Sequence, residues 1–263
     1  MLIYFQQKGD MFFMNNLKRF DLYFGDCLEK MKNIEDGSVD LILCDLPYGT
    51  TDCKWDNIIP FDLLWEQYNR VIKENGAIVL FSAQPFTTKL INSNIKNYRY
   101  SWYWIKNNST GFTFAKYQPM RKVEDINVFY KKAPLYNPQG LVKLDKPKKR
   151  KRKQSKDTKD SIYKEGSLSK EYTVKYTNYP NNLLFFNKES KSLHPTQKPV
   201  DLLEYLIKTY TNENDIVLDS CAGSGSTGVA CANTNRRFIG IELTEHYYNI
   251  ASNRISKAYQ LNR

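Results

Sequence analysis

The sequence predicts an α/β fold with an open sheet and a ligand site at the carboxyl ends of its strands. Short apolar runs alternate with helix-period segments in both halves of the chain. Two of these runs end in chemistry-bearing stretches, Asp45-Leu46-Pro47-Tyr48 and Asp219-Ser220-Cys221-Ala222-Gly223-Ser224-Gly225. In open α/β sheets ligands bind beyond such strand ends. At 263 residues the chain can bury one such domain and still carry an insertion.

Phe20 to Asp26 reads as a strand ending in Gly-Asp, and Leu28, Met31 and Ile34 give a short helix its apolar face. Val39 to Cys44 is a buried strand, completing a βα unit of a parallel sheet. Gly49 to Ile59 reads as a loop. Pro60 to Lys73 is a helix with Pro in its first turn, stopped by Asn75-Gly76. Ala77 to Phe81 is a strand and Thr87 to Ile95 a helix. Tyr98 to Lys106 and Asp125 to Lys131 alternate as strands.

After Lys132 the composition turns to Lys, Ser, Thr, Tyr and Asn, with too few aliphatics for an independent core, so 134–192 reads as a partly mobile insertion. Regular pattern resumes at His194-Pro195-Thr196-Gln197-Lys198-Pro199. A helix over Val200 to Tyr210, a strand over Asp215 to Asp219, a helix from Ser226 to Asn233, a strand over Arg237 to Glu242 and a helix from Thr244 to Tyr259 follow.

Charge is unevenly spread. Gly140 to Tyr176 holds 13 Lys or Arg against 5 Asp or Glu, a net +8 of the chain's +11. A basic segment on a near-neutral body points to a polyanionic partner. The run Lys148, Lys149, Arg150, Lys151, Arg152 and Lys153 would contact phosphates rather than read bases. A solvated charge run or a nuclear-localisation signal has the same composition. Five cysteines without a Cys-x-x-Cys pair, and only 2 histidines, exclude a zinc framework and fit free thiols in a reducing cytoplasm. No apolar stretch approaches the ~18 residues of a membrane span. Residues 1–19 are set aside as an N-terminal extension, since Met11 and Met14 offer other starts.

Gly223-Ser224-Gly225-Ser226-Thr227-Gly228 lies between strand and helix, with Glu242 at the end of the next strand. That spacing fits a dinucleotide fingerprint. Asp219 opposes it, because a carboxylate there repels a pyrophosphate aimed at the helix N-terminus. A cationic, phosphate-free ligand such as S-adenosylmethionine tolerates Asp219, and Glu242 would accept its ribose hydroxyls. A dinucleotide and a purely structural loop stay open on this stretch alone.

Taken together, Asp45 to Tyr48 resembles the Asp-Pro-Pro-Tyr motif of DNA amino-methyltransferases. Asp219 to Gly225 is similar to their donor motif, Glu242 to their ribose-binding acid, and His194 to Pro199 to the segment preceding the donor motif. The order, catalytic motif first, resembles the β class. Leu46 stands where a first proline is usual, and Ser220-Cys221-Ala222 departs from the usual donor-loop run.

The resemblance implies a Rossmann-like methyltransferase fold, circularly permuted, with a mixed seven-stranded sheet and helices on both faces. It implies a catalytic half at 20–133, a target-recognition insertion at 134–192 and a donor half at 193–263. The implied reaction moves a methyl group from S-adenosylmethionine to N6 of adenine in double-stranded DNA. Cytosine N4 is the alternative, and Asp45 favours adenine because N4 members more often carry Ser there. A non-catalytic nucleic-acid-binding protein on this fold is a further alternative, as is a dinucleotide-dependent oxidoreductase. No metal is implied. A homodimer and a cognate restriction endonuclease are left open.

Asp45 and the Leu46 carbonyl would hold the amine, Pro47 would set the turn, and Tyr48 would stack on a flipped base. The donor set is Asp26, Lys198, Asp219, Cys221, Gly223, Gly225, Thr227 and Glu242. Within it Asp26 reads equally as a helix cap, Cys221 also as a packing residue, and Lys198 as a partner for the donor's carboxylate. Cys44 reads as a buried structural thiol and His194 as a hydrogen-bonded loop residue. Thr50, Trp55, Arg121 and Lys122 are placed on the DNA-facing side.

Overall fold

The computed structural model describes residues 19–50, 53, 56–151, 171–188 and 193–262. Residues 1–18, Trp55, Arg152 and Lys153 lie outside the described residues, and with them parts of the expected extension, DNA-facing side and basic run.

The chain runs β1 (Phe20–Phe24), α1 (Cys27–Met31), β2 (Val39–Asp45), α2 (Phe61–Val71), β3 (Ile72–Ser82), α3 (Phe86–Ser93), β4 (Tyr98–Thr110) and β5 (Arg121–Phe129). It continues through β6 (Val142–Lys151), β7 (Glu171–Thr177), β8 (Leu183–Phe185), α4 (Val200–Tyr210), β9 (Ile216–Asp219), α5 (Ser226–Asn233), β10 (Arg237–Glu242) and α6 (Glu245–Leu261). Described residues through Asn137, with Asn182 onward, form one compact unit, and Pro138–Asn181 forms another.

Among the described residues the first unit holds an eight-stranded sheet in the order β1-β10-β9-β2-β3-β5-β4-β8. β5 runs antiparallel to both neighbours, and the other pairings are parallel. The resemblance noted in the sequence implies seven strands. The eighth, β8, is three residues long and pairs with β4 through Tyr103↔Leu183 and Ile105↔Phe185. So short a run carries no readable alternation.

β2 shows why its apolar run is unbroken. Leu41 and Leu43 face a core shared with α4, α5 and α6, while Ile42 and Cys44 face another shared with α1, α2 and α3. Alternate side chains point to opposite faces, so a strand covered on both sides needs apolar residues throughout.

Asn75-Gly76 does not separate helix from strand as expected. β3 begins at Ile72, directly after α2, and its register against β2 jumps from Val39↔Ile72 to Leu41↔Ala77. Gly76 sits in that bulge, where a Cβ would lie 2.7 Å from the Ile72 side chain and 2.9 Å from the Asp40 carbonyl oxygen.

The second unit is a two-stranded antiparallel ribbon of β6 and β7, with no buried residue among those described. Its register shifts between Lys143 and Lys148, which accommodates Pro147 where a ladder donor would otherwise be needed. Lys148 to Lys151, the described part of the basic run, lie on β6.

Candidate active site

β9 and β2 are neighbours at the point where chain order reverses: β3 follows on one side, β10 on the other. Asp219 ends β9 and Asp45 ends β2, so two carboxylates 174 residues apart in sequence lie at adjacent strand ends. A cavity of about 540 Å³ opens beyond them, lined by all four residues of Asp45 to Tyr48 and by Asp26, Lys198, Asp219, Cys221, Gly223, Thr227 and Glu242.

At the glycine-loop end the fixing groups are largely backbone. Glu242 accepts from Gly223 N and Thr244 N, each at 2.8 Å. Asp219 accepts from Cys221 N at 3.1 Å and from the Thr227 hydroxyl at 2.6 Å. Burial, only partly offset by those donors, lifts its pKa to about 6. Asp26 caps α1 by accepting from Leu28 N and Glu29 N, so the cap role is met while the residue also lines the cavity.

Gly223 has φ +53 and leads the loop over the cavity. Gly225 is different. It does not line the cavity, and a Cβ there would stand 2.9 Å from the Ala251 Cβ. Its absent side chain lets α6 approach the start of α5, so its place is in packing. Arg254, on α6, donates to the Ser224 carbonyl at 2.6 Å and braces the loop from behind.

The other end is held by charge. Lys198 donates to Asp45 Oδ2 at 2.5 Å and lies 3.4 Å from Glu124 Oε2. Lys106 pairs with Glu124 Oε1 at 3.0 Å. All four groups are largely removed from solvent. Burial raises the Asp45 pKa, opposed by Lys198 and reinforced by Glu124. Burial lowers the Lys198 pKa, but Asp45 and Glu124 together more than reverse it. Lys198 is therefore a cation between two carboxylates at the Asp45 end of the cavity, whereas the sequence suggests it as a partner for the donor's carboxylate.

Tyr48 donates to Asp45 Oδ1 at 2.6 Å, and its ring stacks on the buried Phe86 at 5.0 Å and 23°. The loop after it is anchored by Asp56, which accepts from Gly49 N and Thr50 N at 2.9 Å each.

His194 to Pro199 spans both ends. Gln197 accepts from Ser224 in the glycine loop at 3.0 Å, while the next residue, Lys198, holds Asp45. His194 Nδ1 accepts from Thr196 N at 3.3 Å, and burial with Lys198 nearby lowers its pKa to about 4, so it is neutral at ordinary pH. Cys44 is buried against Ser220 at 3.4 Å and Cys221 is half-buried at the cavity wall. Thr50 and Arg121 line the cavity, and Lys122 is exposed outside it.

Glu124, Lys106, Asp56 and Arg254 are not among the residues the sequence singles out, and Gln197 is singled out only as part of the His194 to Pro199 segment. Glu124 alone carried a signal: an acid on an otherwise alternating strand that enters the core just after it.

A family model described as DNA methylase, of the N6/N4 type, matches residues 39–253. Type II methyltransferase M.HpaI of Haemophilus parainfluenzae is 29% identical over 251 residues, 90% of this chain and 74% of that protein. DNA adenine methyltransferase YhdJ of Escherichia coli K12 is 29% identical over 254 residues, 89% of this chain and 82% of that protein. The crystal structure of the M1.HpyAVI–SAM complex matches with a TM-score of 0.62 at 25% identity, over 89% of this chain and 99% of that one. The cytosine-N4-specific PvuII DNA methyltransferase shares the fold, with a TM-score of 0.65 at 16% identity over 92% of each chain.

Proposed function

We propose, because this chain belongs to the DNA methylase family, that it transfers a methyl group from S-adenosylmethionine to the N6 amino group of adenine in duplex DNA. The observation that carries this reading is one cavity with two unlike ends. An ion-paired carboxylate stands beside an aromatic platform at one, and a carboxylate-lined glycine loop at the other.

The donor fits the second end. Asp26, Asp219 and Glu242 give it negative character, which suits a sulfonium and an ammonium and opposes a pyrophosphate. Glu242 spends one acceptor site of each oxygen on backbone N–H groups, leaving others for ribose hydroxyls. S-adenosylmethionine supplies, when bound, a methyl group on an electrophilic sulfonium. The likeness to the M1.HpyAVI–SAM complex supports this assignment.

At the first end, an exocyclic amine is a poor nucleophile while its lone pair is delocalised into the base. Asp45 and the Leu46 carbonyl, each accepting one N–H, would let the nitrogen pyramidalise in line with the methyl group. Tyr48 and Lys198 use two of the roughly four acceptor sites of the Asp45 carboxylate, so an incoming N–H finds one without displacing either. Burial pushes the Asp45 pKa up, and Lys198 opposes that push, favouring the ionised form that accepts an N–H. The Tyr48 ring, backed on one face by Phe86, offers the other to a base taken out of the duplex.

Asp45, where N4 members more often have Ser, and the likeness to an adenine methyltransferase favour adenine over cytosine N4. Base-resolved sequencing of DNA from expressing cells tests this. Methylated adenine at a fixed site is the expected result, N4-methylcytosine would move the assignment to the second base, and unmodified DNA would remove it.

A further inference from the structure

Large exposed apolar residues are scattered over most of the molecule, with a concentration in the β4–β5 hairpin. Phe112 is 81% exposed, Phe114 56% and Tyr117 86%, with Met120 and Val123 close behind them in sequence. Exposing rings of this size to water is unfavourable, so a group of them marks a surface meant to be covered.

The tip is wound. Gly111, at φ +91, opens a short turn in which Phe114 N donates to the Gly111 carbonyl at 3.0 Å and Tyr117 N to that of Phe114 at 2.9 Å. The rings thus stand on a hydrogen-bonded turn. The hairpin is also basic. Asn107 to Val123 contains Lys116, Arg121 and Lys122 and no Asp or Glu. Its base, at Thr110, Arg121 and Val123, lines the mouth of the active-site cavity. Exposed aromatics, cations of one sign and continuity with the site together fit duplex DNA as the partner.

We infer that this hairpin enters the duplex beside the target base, its rings occupying the stack that the base leaves while its cations meet flanking phosphates. The inference rests on the methylation reading above. A base taken from the duplex leaves neighbours unstacked, and apolar or aromatic wedges at base steps offset that loss. Phe112, Phe114 and Tyr117 are then positioning residues: they act on the population of the flipped state, not on the methyl transfer.

The test compares wild type with Phe112→Ala/Phe114→Ala/Tyr117→Ala, once sequencing of modified DNA has given the target site. Two oligonucleotide duplexes carry that site, one fully paired and one with an abasic residue opposite the target. The triple variant should lose roughly tenfold or more in kcat/KM on the paired duplex. On the abasic duplex, where extrusion is already easy, it should stay within about twofold of wild type. A 2-aminopurine at the target should brighten on binding wild type and stay dark with the variant.

Equal losses on both duplexes, or no loss on either, would overturn the inference while leaving the function intact. So would a wild-type dimer that the triple change converts to monomer, because the rings would then be covered by a second copy. A wild type that methylates no DNA would overturn the function itself. Should the triple variant melt early, Tyr117→Ala, the most exposed of the three, is read in its place.

Discussion

The two ends of the cavity are built on different principles. At the donor end, carboxylates are fixed by backbone N–H groups: Glu242 by Gly223 and Thr244, Asp219 by Cys221. At the acceptor end, Asp45 is held by side chains alone, Tyr48 and Lys198, with Glu124 and Lys106 behind them. A backbone brace sets geometry without adding charge. A side-chain ion pair sets charge and tolerates small shifts. On the function proposed above, the contrast suits a site whose methyl donor always docks alike while each new base is drawn from a duplex.

The largest expected effect probes the acceptor end. Asp45→Ala should reduce methyl transfer by roughly 10²–10³ or more, as loss of a preorganised polar partner does. Donor affinity measured by calorimetry should change only a few-fold. Equal damage to both would mean that the two ends are one network. Glu242→Gln is the reciprocal test, since it removes the charge but keeps the shape. Donor Kd should rise about 10- to 100-fold, the usual range for a charge-assisted hydrogen bond. The rate at saturating donor should fall much less.

Lys198→Met sharpens the comparison further. It leaves Asp45 beside Glu124 without the intervening cation, so the acid limb of the pH–rate profile should move to higher pH, and Lys198→Arg should move it part of the way back. An unmoved limb would show that Lys198 only packs. A smaller pH effect belongs to the donor end. Asp219 is protonated in the free protein below about 6 and ionised above it. A cationic donor prefers the ionised form, so its affinity should rise as pH climbs through about 6, and Asp219→Asn should flatten that rise. The same raised pKa means that ionising Asp219 costs the fold. Its contribution to stability is therefore fully present below the ordinary carboxylate pKa and declines as pH climbs through about 6.

The smallest effect lies outside both ends. Replacing Lys148, Lys149, Arg150 and Lys151 by Gln should lower the slope of log affinity against log salt by up to ~0.9 for each phosphate no longer neutralised. Donor affinity should stay unchanged. A constant salt slope would take the ribbon away from DNA.

Much of this was legible in the residues, and what was not has physical reasons. Val39 to Cys44 announced itself because a strand buried on both faces must be apolar throughout. Asp45 and Asp219 were readable because they end such runs. β8 was hidden by its length, and the start of β3 by a bulge in which Gly76 lets two chains approach instead of stopping one. The pairing of Asp45 with Lys198 was illegible for another reason. Lys198 is singled out in sequence with the His194 to Pro199 segment and as a partner for the donor's carboxylate, and only the fold brings it within 2.5 Å of a carboxylate 153 positions away. Gly225 looked like its neighbour Gly223, yet one faces the cavity and the other faces α6.

The seam between β2 and β9 has a consequence for how the molecule comes into being. Their ladder is short, Leu41↔Val217 and Ile42↔Leu218, helped by Asp40 accepting from Ile216 N at 3.0 Å across a separation of 176 residues. Closing a loop of that size gains nothing until both strands exist. During synthesis the strand that ends in Asp45 must therefore wait across that separation of 176 residues before its neighbour arrives. The cavity is complete only once β9 and β10 have also emerged, so a chain truncated before β9 would carry Asp45 to Tyr48 without the strands that bring Asp219 and Glu242 to it.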